Sequence, residues 1–146
     1  MQTFLPYSSY TKSAMVLDRQ RLGKQRVEAL QIARTLAGIS DGWKNHPAVR
    51  MWDGYLPSLV FYGYTVCCVW KGRGYRDTTA EKLLAIVPWD QAYGSVKPPF
   101  VGDEAFHASH RSNLLRKDGE WYGQYGWREP NDLPYVWPVP LIGATS

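Results

Sequence analysis

A chain of 146 residues with 17 Lys and Arg against 13 Asp and Glu has a formal net charge of +4, a balance that favours anionic partners. Its 45% apolar content excludes a disordered or low-complexity polymer and suits one globular domain with a real core. No run approaches the roughly 20 apolar residues of a membrane span, and the opening MQTFLPYSSYTK has no signal-peptide stretch. A cytoplasmic protein of one domain over residues 1–146, probing no membrane, is the expectation.

Along the chain, residues 1–12 show no period, and Pro6 discourages a helix there. From Ser13 to about Ala37, Leu22, Ala29, Leu30, Ala33 and Leu36 recur at three- and four-residue steps and predict one amphipathic helix. Ser13 is its expected N-cap and Gly38 its C′ residue. Arg21, Gln25 and Glu28 share a polar flank of that helix by the same spacing. Pro47 opens a short helix to Asp53, broken by Gly54, and Pro57 opens a longer one through about Lys71. Val, Tyr and Cys in that stretch also permit a strand. Gly63 stands where two helices could approach closely. Thr78-Thr79-Ala80-Glu81 reads as a capping box before KLLAIV, a short helix that Pro88 ends. Residues 88–102 read as a loop, and Asp103 as the cap of a last helix from Glu104 to about Lys117. After Gly119 the chain is too rich in Gly and Pro for a helix and too rich in aromatics for disorder. The fold class is therefore mostly α: a compact single-domain bundle of several helices with an ordered aromatic, proline-rich C-terminal tail.

The common catalytic signatures, HExxH, CxxC, GxxxxGK[ST] and GxSxG among them, are absent. Cys67 and Cys68 are adjacent, so they point apart and read as two buried small hydrophobes of a reducing compartment. His107 and His110 are one helical turn apart but lack a third ligand, so they read as surface or phosphate contacts, and neither a metal nor another cofactor is expected. Basic residues cluster twice, from Lys12 to Arg34 and from His107 to Lys117, which could form two walls of one groove. In the middle of the first cluster stands one carboxylate, Glu28. Two readings are open for it. It could make an i,i+4 pair with Lys24, or it could work as an acid–base group on a sugar whose phosphates its basic neighbours hold.

Three stretches resemble one family. Gln20-Arg21-Leu22 leading to Glu28 is similar to the first helix of the pyrimidine-dimer DNA glycosylases, the group that includes phage-type endonuclease V. His46 through the GYRDT at Gly74–Thr78 is similar to that family's long aromatic helix and its stop. His107-Ala108-Ser109, Arg116-Lys117, Trp121-Tyr122 and Tyr125-Gly126 resemble its last helix and tail. The resemblance implies a DNA repair glycosylase whose N-terminal amine, here that of Met1, attacks C1′ of a damaged nucleotide, with an abasic-site lyase step and with Glu28 stabilising the sugar cation. An α-amine suits this task because its usual pKa is about 7.7–8.0 against about 10.4 for lysine. The implied partner is double-stranded DNA with a base lesion, met by a monomer without metal. Expected DNA contacts are Arg19, Gln20, Arg21, Lys24, Arg26, His110, Arg111, Arg116 and Lys117, with Trp121, Tyr122 and Tyr125 either stacking on bases or stapling the tail. Gln2, too bulky for the usual methionine removal, and Val27, where family members carry arginine, depart from the pattern. They leave open a glycosylase for another modified base, or a non-catalytic binder of damaged DNA.

Overall fold

The computed structural model describes residues 1–141. Its elements are α1 (Tyr10–Val16), α2 (Arg19–Leu36), α3 (Pro47–Arg50), α4 (Leu56–Gly72), α5 (Thr79–Ile86), α6 (Trp89–Ala92), α7 (Glu104–Lys117), α8 (Gly119–Tyr122) and a 3-10 turn, Gly123–Tyr125. No strand occurs among the described residues, so the fold is all-α. The Val-, Tyr- and Cys-rich segment is helix α4, because helical spacing puts Leu59, Tyr62, Gly63 and Val66 on one buried face.

α2 and α4 pack across each other at the centre of the molecule, and two glycines permit the approach. A Cβ placed on Gly63 of α4 would stand 3.0 Å from the Ala29 Cβ of α2, and one on Gly23 of α2 would stand 2.9 Å from the Trp70 ring of α4. Around this crossing, Leu5, Leu17, Leu22, Ile32, Trp52, Leu59, Tyr62, Leu83 and Phe106 form the fully enclosed part of the core. Asp103 caps α7 by accepting from the Ala105 N–H at 3.1 Å, as its position predicts. Gly38 takes up φ +79 beyond the end of α2, the left-handed geometry that favours glycine.

Several expectations give way. The first predicted helix is two, because Leu17 is extended and Asp18 caps a fresh start at α2. Asp18 accepts from the Arg21 N–H and from the Tyr122 hydroxyl, while its own N–H donates to Tyr122 Oη at 3.0 Å. Burial alone would raise the Asp18 carboxyl, but these bonds from Tyr122 and Arg21 hold it below the usual range. Ser13 does not cap. It is buried inside α1, bonded to both backbone groups of Tyr7, and Ser9 is the cap. The capping-box Thr78 makes no side-chain cap bond; Asp77 Oδ2 accepts from Ala80 N–H instead, at 2.9 Å. Residues predicted as loop after Pro88 include α6, and the tail opens with α8 and the 3-10 turn before it extends. Cys67 is buried, but Cys68 is exposed.

Beyond Gly126 the tail forms a strap along α7. Leu133, Tyr135, Trp137 and Val139 turn inward while the residues between them are exposed, the alternation of an extended chain. The proline-rich strap forms no ladder, and side chains of α7 take its polar groups instead. Ser112 Oγ accepts from Leu133 N–H at 2.9 Å, Ser109 Oγ accepts from Val136 N–H at 3.1 Å, and Asn113 Nδ2 donates to Leu133 O at 3.0 Å. This route carries Tyr135 to the mouth of the cleft described next.

Candidate active site

The N-terminal segment is threaded into the core, and many of its polar groups are bonded there. Gln25 of α2 donates from Nε2 to Gln2 O at 2.6 Å and accepts on Oε1 from Phe4 N–H at 2.8 Å. The Tyr62 hydroxyl of α4 donates to Phe4 O at 2.7 Å, and Trp52 Nε1 donates to Thr3 Oγ1 at 3.0 Å. Two histidines of α7 grip Leu5: His110 Nδ1 accepts from Leu5 N–H at 2.9 Å, and His107 Nδ1 meets Leu5 O at 2.7 Å. His107 Nε2 accepts from Gly102 N–H, so His107 is neutral with its proton on Nδ1, donating to Leu5 O. Burial pushes His107 below its ordinary pKa even though the Leu5 carbonyl pulls upward. Burial, with the neighbouring His107, takes His110 down to about 3.

Anchored this way, the Met1 amine lies 3.8 Å from Glu28 Oε2. The partner of Glu28 is thus the chain's own amine rather than Lys24. Both groups line a cavity of about 280 Å³. One side is Met1, Gln2 and Phe4; α2 supplies Gln20, Arg21, Lys24 and Glu28; Lys117 and Tyr135 close the far side. The lining holds three side-chain cations around one carboxylate, Arg21 among them being also paired with Asp18 Oδ1 at 3.2 Å, a charge pattern suited to a phosphate-bearing ligand with a cationic centre between its phosphates. Burial pushes Tyr135 up to about 12 against the opposing pull of Arg116 and Arg21, with a smaller push from the Glu28 charge, so its hydroxyl stays protonated at working pH.

Of the residues singled out from sequence, Met1, Gln20, Arg21, Lys24, Glu28 and Lys117 meet in this cavity. Others are committed elsewhere. Arg26 pairs with the fully buried Asp77 carboxylate and lies over the Trp70 ring, 4.5 Å from its centroid, so its charge is neutralised within the fold. Arg19 lies outside the cavity, 5.4 Å over the Tyr75 ring, which stacks on Trp70. Arg111 is bound by Glu104, Glu129 and Pro6 O, and Arg116 by Asn131 O and Asn113 Oδ1. His110 and Tyr122 are fully enclosed and offer no surface to DNA. His110 holds the N-terminal segment and Tyr122 holds Asp18; His107, read as a surface or phosphate contact, is buried beside them. Trp121 is exposed but its Nε1 donates to Val16 O, and Tyr125 packs on Trp127. Gln2, Phe4 and Tyr135 line the cavity, yet nothing local in the sequence marks them. No cluster of three or more His, Cys, Asp or Glu side chains able to hold a metal occurs among the described residues, and no helix there is long and apolar enough to cross a membrane.

Among its described residues the protein is all-helical and buries its N-terminal segment, which brings an amine beside a carboxylate in a basic cleft. A family model described as pyrimidine dimer DNA glycosylase matches residues 1–83, and the chain belongs to that family of DNA repair enzymes. The match takes in Met1, all of α2 with Glu28, and α4; the Lys117–Tyr135 side of the cavity lies beyond it. No curated protein and no solved structure matches the chain.

Proposed function

We propose that this protein excises a damaged pyrimidine from duplex DNA by attack of the Met1 amine on C1′, and that it then nicks the abasic strand by elimination. The observation that carries this reading is the 3.8 Å approach of the amine to Glu28 inside the basic cavity. The bond from C1′ to the base breaks first, its bonding pair leaving with the base, and the lone pair of the neutral amine then forms the N–C1′ bond. Glu28 stabilises the cationic sugar between these events and takes the proton released by the attached nitrogen, which ends on the departing base. The nitrogen lone pair then opens the sugar ring, O4′ takes a proton, and an imine joins protein to C1′. Loss of a C2′ proton expels the 3′ phosphate as the leaving group and breaks the strand. Arg21, Lys24 and Lys117 hold the flanking phosphates, and the cavity takes a nucleotide drawn out of the stack.

The test uses end-labelled duplexes carrying a thymine dimer, an abasic site or no damage, each with and without borohydride. Cleavage at the dimer and a reduced adduct mapped to Met1 are expected, and acetylating the N-terminus should remove the adduct. Undiminished trapping by the acetylated protein would refute the amine assignment. Adduct at the abasic duplex alone would move the substrate to another base, and binding without products would leave a reader of damaged DNA.

A further inference from the structure

Gln2 is 5% exposed, lines the cavity beside Met1, and its Nε2 has no hydrogen-bond partner. Its orientation is set by the neighbouring peptide: Gln2 Oε1 accepts from Thr3 N–H at 2.9 Å. Rotating the carboxamide would point its NH₂ at that donor, so the free NH₂ is what the side chain must present. A buried donor left without an acceptor is costly, and native folds keep few of them outside sites where a ligand completes the bond. The backbone just after it is held too, because Gln25 donates to Gln2 O and accepts from Phe4 N–H.

The acceptor can be argued from chemistry. Arg21, Lys24 and Lys117 are charged and suit phosphate oxygens, with Lys24 and Lys117 exposed. Gln2 offers an enclosed, neutral amide, which suits a carbonyl. It sits on the residue next to the amine, so a nucleotide that brings C1′ to the amine brings the first atoms of its base to this neighbourhood. In a pyrimidine the carbonyl one bond from the glycosidic nitrogen is C2=O. As the C1′–N1 bond breaks, its electron pair delocalises onto that oxygen. A fixed donor there strengthens as charge develops and so favours the transition state over the ground state.

We infer that Gln2 Nε2 donates to the C2 carbonyl of the pyrimidine being excised and stabilises it as a leaving group. The inference rests on the excision reading above. No extra reactant is needed: the pair goes to the base, and its proton comes from the attacking amine by way of Glu28.

The experiment compares Gln2→Glu, which keeps an acceptor for Thr3 N–H but removes the donor, and Gln2→Met, which removes both. Intact mass confirms that Met1 is retained, and thermal unfolding confirms the fold of at least one variant. Single-turnover excision at the lesion should fall about 10²-fold, the usual effect of losing one such donor. Borohydride trapping at a preformed abasic site, which has no base to stabilise, should fall far less. Equal losses on both substrates would overturn the inference and make Gln2 a support for the amine; unchanged excision would also overturn it. Wild-type protein that neither excises nor traps would instead sink the excision reading itself, and this inference with it.

Discussion

Lowering the pH should release the N-terminal segment through His110, and the size of the effect follows from its surroundings. His110 is completely enclosed, accepts the Leu5 N–H on Nδ1 and titrates near 3 in the folded protein. In the unfolded chain the same ring titrates near its ordinary value of 6.5. Below about 6.5 the unfolded chain therefore binds a proton that the folded one refuses, so the stabilisation is fully present above that pH and is lost as pH falls toward 3. Each unit in that window removes about 1.4 kcal/mol, so about 2.7 kcal/mol is gone two units down, near pH 4.5. His107 and His46 are also held below their ordinary values, chiefly by burial, and act in the same direction. Asp18 and Asp77, held low by their partners, keep their contribution until pH drops below the ordinary carboxylate range. Guanidinium unfolding at intervals from about pH 7.5 to 4.5 measures the slope, with His110→Asn as the non-titrating comparison. A wild-type slope no steeper than that of His110→Asn would refute the reasoning.

The site and the helix crossing can be tested independently. Glu28→Gln should keep salt-sensitive binding to damaged duplex while turnover falls by about 10²–10⁴-fold, the range for losing a positioned acid–base group; gel-shift and single-turnover assays together would expose an unimpaired mutant. Gly63→Ala should destabilise by about 1–2 kcal/mol in denaturant titration, because the new methyl would stand 3.0 Å from Ala29 Cβ and 2.9 Å from Leu83 Cδ1, against a small gain in helix propensity. A variant as stable as the wild type would mean that α2 and α4 can part without loss.

Periodicity marked α2 and α4, since a helix writes its buried face into steps of three and four residues that any window can read, and cap signals before KLLAIV and at Asp103 marked α5 and α7. It missed the break at Asp18 because the apolar stripe runs on across it, although an Asp just before RQRL is a legible cap signal. Glu28 among basic residues was legible too, as a carboxylate in an unusual setting. What that setting is made of was not. Arg26 looks as free as Lys24 along the helix, yet Asp77, 51 residues away, takes its charge. His110 looks like a phosphate contact, yet it faces inward to Leu5, 105 residues away. Met1 and Tyr135 come from opposite ends of the described chain and meet at Glu28 because α2, α4 and α7 hold the first segment while two serines of α7 hold the last. Local spacing determines which face of a helix is buried and where charge accumulates. Which charges remain unspent, and which termini reach the cavity, depends on contacts between distant segments, and those form only when the core closes.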